Sequence, residues 1–465
     1  MPRRTHQAVF SLPTCLLAGL LTGWLAMAAA GRAEDGASLA PLRFQATWEA
    51  GQIEQAFYYG QSQKVDKELI NHATVWTLQE ARLGDHAKAF MGIGGGYFFV
   101  FPRNLGSNPY SMSKRSAFAL SDAHGEFEFM AGNEGDHGLL LKAGIFPYKY
   151  NPDAKDLGEY LYRTWTYPTI VTTGGLNLVG SAGAQLSGLS AGTRLGGFSN
   201  EVLLTVQTDR PPVLSLSLAD VAMYRLGILD IGAGFMFDNF YNPDPKQATP
   251  KSPVNAFYTL SDGSKMSARK YADLQSQALL PAGAVINDTG YYTMVGQKVM
   301  LRAALDFGRM FGGDALSPGD LRLYGEAILL GLKDYPTYYE KMMDRTILMA
   351  GLNLPTFRLV DLLSVEVEHC SNPFNNSTRG PLGEGMAAPH VEMPPEGFPN
   401  PPKVDGDDWK WAVNLRKNVY PGFAVNLQAA NDHMKMLDVY STPDFYDFLI
   451  RPNHWYWVVN LSYSM

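Results

Sequence analysis

The chain closes on "NHWYWVVNLSYSM", residues 453–465. Trp455, Trp457, Val459, Leu461, Tyr463 and Met465 fall on one face of an extended backbone, and His454, Tyr456, Val458, Asn460, Ser462 and Ser464 on the other. A period of two predicts a β-strand. The same period recurs upstream. "LRFQATWEA" sets Leu42, Phe44, Ala46 and Trp48 against Arg43, Gln45, Thr47 and Glu49, and "GEFEFMAG" sets Phe127 and Phe129 against Glu126 and Glu128. "VLSLSLAD", "KVMLRAALDFG", "LLSVEVEH" and "WKWAVNLRKN" repeat the pattern with Ser, with Lys298, Arg302 and Asp306, with Glu366 and Glu368, and with Lys410 and Arg416 on the wet face. Each strand therefore has one apolar side and one polar, often charged, side.

Alternation of this kind also fits a soluble sandwich, so the nature of the solvent on the apolar side has to come from elsewhere. Many segments run about nine to eleven residues, the length a tilted strand needs to cross hydrocarbon. Aromatic residues gather near their ends, as in "GGYFFVFP", "FMFDNFY", "YPTYY", "DFYDFL" and "HWYWVV". Rings at such positions suit the boundary between lipid and water. Aromatic residues make up 12% of the chain and charged residues 18%, with 46 Gly, which is the composition that strands and tight turns require. Past the N-terminal region no stretch has the apolar length of a membrane helix, a limit that leaves spanning by strands open.

The N-terminus carries Arg3 and Arg4, then an apolar run from Leu16 to Ala30, then small residues through Ala33. This order predicts a secretory signal peptide over residues 1–33, followed by one domain over 34–465. Cleavage there removes Arg3, Arg4 and Arg32 and no acid, moving the net charge from −7 to −10 and speaking against nucleic acid as a partner. It also leaves Cys370 as the single thiol, which rules out an internal disulfide or a cysteine metal cluster.

The links between strands come in two sizes. Gly312-Gly313-Asp314 reads as a tight turn, whereas residues 237–288 read as a long loop with a short helix from Ser267 to Leu280, and residues 372–408 are too rich in Pro and Gly to be a strand. Spans of about ten residues with such links fit roughly 14 to 18 strands, an even number that closes on itself because an open edge cannot survive in lipid. The expected fold is therefore all-β: a transmembrane antiparallel β-barrel with short turns on one rim and long loops on the other.

On these features, the leader, the repeated amphipathic strands, the unequal links and the final strand through Leu461 and Tyr463, the chain resembles bacterial outer-membrane β-barrels of porin type. In that family the last residue is usually Phe, and here Met465 stands in its place. The resemblance implies a channel for passive diffusion of small hydrophilic solutes in the outer membrane of a Gram-negative-type bacterium, with long extracellular loops, short periplasmic turns, outer-membrane lipid and the barrel-insertion machinery as partners, no cofactor, and a possible homo-oligomer. It also implies that one loop folds inward to narrow the bore. The segment "GIFPYKYNPDAKDLGEYLYRTWTYP", residues 144–168, is the candidate, with Lys149, Asp153, Lys155, Asp156, Glu159 and Arg163 as constriction residues. An equally open reading of that segment is a solvated external loop.

Charges on the strand faces are read from the pattern itself. Arg43, Glu126, Glu128, Arg302, Asp306, Arg322, Glu326, Glu366, Glu368, Lys410 and Arg416 alternate with apolar residues, and a charge at mid-bilayer costs about 2–4 kcal/mol, so they point into the lumen. A lumen so lined is either water-filled or cross-linked by ion pairs. The two rivals to a channel are thus an occluded structural or ligand-binding barrel and a barrel hydrolase with a site at its rim. "GLSAG", residues 188–192, fits the serine-hydrolase elbow G-x-S-x-G around Ser190, but it lacks the flanking strand-then-helix the motif demands, and no catalytic role is expected. "DGDD", residues 405–408, lacks the spacing of a dedicated Ca²⁺ loop, so no metal site is expected.

Overall fold

The computed structural model describes residues 37–58, 63–100, 116–131, 137–162, 184–207, 214–249, 251, 256–311, 316, 319–334, 336, 341–371, 408–432, 449 and 451–465. Residues 1–33, Gly312-Gly313-Asp314, Arg163 and most of 372–408 lie outside them.

The amphipathic segments form a closed ring of sixteen antiparallel strands. In chain order the described strands are β1 (Ala37–Leu39), β2 (Arg43–Tyr58), β3 (Gln63–Leu83), β4 (Ala87–Val100), β5 (Ser116–Ala131), β6 (His137–Tyr148), β7 (Ala184–Leu195), β8 (Phe198–Val206), β9 (Leu216–Leu226) and β10 (Leu229–Tyr241). They continue with β11 (Ala256–Leu260), β12 (Lys265–Ser267), β13 (Ile286–Tyr291), β14 (Gly296–Asp306), β15 (Arg322–Leu329), β16 (Thr346–Asn353), β17 (Leu362–Cys370), β18 (Trp409–Tyr420), β19 (Phe423–Asn431) and β20 (Trp455–Ser464). The ring runs β2 to β10 and then β14 to β20, each strand paired with the next. It shuts where the closing segment β20 meets β2, Leu461 opposite Trp48 and Tyr456 opposite Ile53. β1 adds a short extension beside the end of β3.

Both described ends of the barrel chain lie on one rim, together with tight links at Gly84–His86, Gly196-Gly197, Gly227-Ile228 and Pro421-Gly422. The longest connections leave from the other rim, although residues 307–321 join β14 to β15 on the rim of the tight links. The longest, between β10 and β14, carries a separate three-stranded sheet in the order β12–β11–β13. Its helix α1 (Ala268–Ser276) is capped by the Ser267 side chain, which accepts the backbone N–H of Lys270. This corrects the loop expected over 237–288: Phe237–Tyr241 belong to β10, the connection holds a sheet of its own, and the helix stops before Leu280 because Ala278 is left-handed, with φ 54°. β3, at 21 residues, also exceeds the expected span and stands above the rim with the end of β2.

The outward faces carry the apolar side of each strand. Met91, Ile93, Leu141, Leu189, Val202, Leu301, Leu348, Val367 and Leu427 are exposed there, an arrangement water would penalise and acyl chains would not. Rings gather at the two rims: Tyr420 stacks on Phe423 at 5.1 Å near one, and Trp411 lies 6.4 Å from Trp455 near the other. An expected result follows for Leu301, 60% exposed midway along β14. Leu301→Arg should destabilise the vesicle-inserted barrel by about 2–4 kcal/mol in a reversible urea titration, and Leu301→Ile should not.

Two glycines show how the wall bends inward under the loop. Gly144 and Gly188 are direct partners on β6 and β7, with φ of 129° and 155°. A Cβ on either would sit 2.2 or 2.1 Å from a neighbouring strand's carbonyl oxygen, so only glycine lets the strands approach that closely.

Candidate functional site

The segment that leaves β6 at Tyr148 does not stay outside. Residues 149–162 fold into the bore, where Asp153, Asp156, Leu157, Glu159, Tyr160 and Leu161 are buried. β6 is the fifth strand of the ring, and the segment is gripped from β17, the thirteenth. Eight strands apart in a ring of sixteen is diametrically opposite, so the segment crosses the barrel and returns: the Tyr162 ring packs edge-on against Tyr148 at 5.3 Å.

Its anchorage uses lumen carboxylates. Glu366 Oε1 accepts the backbone N–H of Lys155 at 2.6 Å, while Oε2 accepts those of Asp156 and Leu157 at 2.8 and 2.9 Å. The Tyr324 hydroxyl also donates to Glu366, at 2.7 Å. Glu326 takes the Tyr150 hydroxyl at 2.7 Å, the Asn151 side-chain amide at 2.8 Å and the Glu159 N–H at 3.0 Å. Glu368 accepts the Tyr160 hydroxyl. A carboxylate offers about four acceptor positions and no donor, which suits it to a turn whose N–H groups have no strand partner.

The segment answers with its own acid. Asp153 bridges Arg302 at 2.6 Å and Arg322 at 2.5 Å, and Arg322 continues to Asp230 at 2.6 Å and Asp306 at 3.3 Å. Lys149 donates to the Ala154 carbonyl at 2.7 Å and approaches Glu159 at 3.8 Å; Lys155 donates to the Asp153 carbonyl and lies 5.3 Å from the centre of the Tyr324 ring. Burial lowers the Lys155 ammonium's pKa, an effect opposed by Glu366 and Asp153. Burial, with Glu326 and Glu159 nearby, raises the Tyr150 hydroxyl's well above its usual value and keeps it a donor.

The expected lumen residues divide by location. Arg302, Asp306, Arg322, Glu326, Glu366 and Glu368 line the arc on which the segment is seated. Glu126 and Glu128 face inward on β5, paired with Lys142 at 3.2 Å and Lys88 at 3.1 Å. Lys410 is buried and donates to the Leu449 carbonyl. Arg43 and Arg416 are on inward registers but exposed at the rim of tight turns, Arg43 bonded to Glu80 at 2.9 Å. Ser190 is a wall residue of β7 whose hydroxyl donates to Glu201, with no elbow around it. No group of three or more metal-ligating side chains occurs among the described residues.

Several participants carry little signal in the sequence. Tyr150, Asn151, Tyr160 and Tyr324 are uncharged and nothing local marks them; Glu49 and Lys298 are visible by parity alone, Lys298 lying 3.3 Å from Asp238. The adjoining arc, β18 to β20 and β2, differs in kind. Its inward residues include Asn414, Asn426, Gln428, Asn460, Ser462 and Thr47, with Asn426 donating to Asn460 at 2.9 Å and Asn460 to Glu49 at 2.5 Å.

The chain folds as a closed sixteen-stranded antiparallel β-barrel. Sixteen strands closed on themselves meet the expectation drawn from the sequence, and residues 149–162 fold into the bore. Among solved structures, an engineered variant of the Rh. blastica porin matches 92% of this chain over 100% of its own, at 6% identity and a TM-score of 0.42. Salmonella typhi OmpF, in complex with daunomycin, matches 92% of this chain over 97% of its own, at 9% identity and a TM-score of 0.42. At these values the likeness by itself identifies neither a relative nor a solute. No protein-family model matches the chain, and no curated protein matches it in sequence.

Proposed function

We propose that this porin-type barrel is an outer-membrane channel for passive diffusion of small hydrophilic solutes, narrowed by residues 149–162. The observation that carries the reading is the inversion of the molecule: aliphatic side chains exposed on the outside, and charges and amides within. The tight-turn rim then faces the periplasm and the long-loop rim the exterior. With the inserted segment seated on β14–β17, passage is left to the β18–β20 and β2–β5 side, where amides and hydroxyls outnumber unpaired charge. That lining favours uncharged and zwitterionic solutes over ions.

A second reading has its own support. Ile53, Ala412, Ala430 and Tyr456 form an apolar patch of buried inward side chains on β18–β20 and β2, in the same buried cluster as Leu157 and Tyr160, as an occluded barrel would have. Planar-bilayer recording on the purified, signal-free protein separates them. Stepwise, ohmic conductance supports the channel, and a silent bilayer with folded protein inserted supports the occluded barrel. A lipase or protease activity lost in Ser190→Ala would instead support the hydrolase.

A further inference from the structure

Arg302, which holds Asp153 of the inserted segment at 2.6 Å, has a second neighbour that is not an acid. Its Nη1 donates to the Met223 sulfur at 3.6 Å, and its Nε is buried without an acceptor among the described residues. Met223 on β9 and Arg302 on β14 are both direct partners of Gly232 on β10, the strand between them. A Cβ at Gly232 would overlap the Met223 sulfur and press on the Arg302 Cγ at 3.1 Å. The missing side chain is therefore what lets the thioether lie across β10 to the guanidinium.

Met223 is also set apart by its exposure. Among the described side chains on inward faces, Met236, Met300 and Met349 are buried, whereas Met223 is only partly covered, packed against the edge of the buried cluster. A small oxidant in the lumen meets its sulfur before theirs. A divalent sulfur is a weak acceptor, and among the described bonds of this guanidinium only the one from Nη2 reaches an oxygen. An oxygen added to the sulfur supplies the strong acceptor that Nη1 lacks.

We propose that Met223 is a sulfoxidation site, where a peroxide entering the lumen leaves one oxygen on the thioether and Arg302 receives it. A sulfur lone pair forms the S–O bond as the O–O bond of hydrogen peroxide breaks. The hydroxide released takes up the proton of the transferred oxygen, and water departs; sulfur is oxidised by two electrons and the peroxide reduced by two. Nη1 stands where it stabilises the negative charge gathering on oxygen. It approaches the sulfur from one side, so the two lone pairs are inequivalent and one sulfoxide epimer forms in excess. The new oxygen also brings the negative end of a dipole to Arg302 and lowers the positive potential beside Asp153. That electrical consequence rests on the reading of the barrel as a channel; the oxidation does not.

The test uses the full signal-free chain folded in lipid vesicles, with hydrogen peroxide as the oxidant and peptide mass spectrometry as the readout. Met223 should be oxidised about ten times faster than Met236, Met300 and Met349, an excess that disappears in urea-unfolded protein. Of the two epimer-specific sulfoxide reductases, one should repair most of the Met223 product, whereas both should repair similar shares at the exposed Met465. In planar bilayers peroxide should move the parent's reversal potential toward cations and leave that of Met223→Leu unmoved. The mapping is made on the parent, so it stands whether or not Met223→Leu folds. Oxidation at Met223 no faster than at the buried methionines, or equal epimers there, overturns the site. An oxidised parent that conducts with an unmoved reversal potential overturns the coupling to Arg302. Oxidation as expected in a barrel that is electrically silent overturns the channel reading and leaves the site standing.

Discussion

Replacing Glu366 by alanine is expected to raise single-channel conductance by roughly a factor of two, because the inserted segment then loses its opposite anchor. Three backbone N–H groups and the Tyr324 hydroxyl converge on that one carboxylate. Each buried donor left without an acceptor costs about 1–3 kcal/mol, so the seat of the segment on β17 is weakened. Glu366→Gln keeps one carbonyl oxygen for the turn and should fall between the parent and Glu366→Ala. The measurement is conductance and open-channel noise at fixed salt, with heat-modifiable migration as the check on folding. Unchanged conductance and noise in folded Glu366→Ala would mean the segment is held by something other than this carboxylate.

The second large effect is on charge preference. Asp153 lies between Arg302 and Arg322, the latter with Asp230 and Asp306 still at hand. Asp153→Asn removes the negative charge and leaves Arg302 without its carboxylate, so the lumen gains positive potential beside the inserted segment. Reversal potentials in a KCl gradient should shift toward anions, by about two- to five-fold in permeability ratio at low salt, and the shift should shrink as salt rises. Asp153→Glu should restore the parent's value. A shift toward cations, or none, would place the conducting path away from these guanidinium groups.

The barrel is legible in the sequence because one rule governs nearly every strand: the parity that puts Trp457 and Val459 outward also puts Tyr456 and Asn460 inward. Each strand reports its own orientation locally, so no long-range information is needed. The docking of the segment is legible only in outline. Its acids and lysines stand out, but the carboxylates that hold it lie far along the chain, Glu366 at 209 residues from Leu157, and nothing local marks such a pair. Tyr150 and Asn151 stay silent because they follow the end of β6, where no strand parity reports a side chain's direction. The small sheet β11–β13 is hidden for another reason: its strands, of 5, 3 and 6 residues, are too short to show a period.

The seam between β2 and β20 sets how this molecule can be assembled. It joins Gln45 to Ser464, almost the first and last residues of the barrel, so the loop that must be closed is the entire ring of strands. Until that final pairing is made, two strands expose unbonded backbone edges, and every nascent or truncated intermediate is open to pairing with a stranger. Pairing β2 with β20 therefore removes both free edges at once.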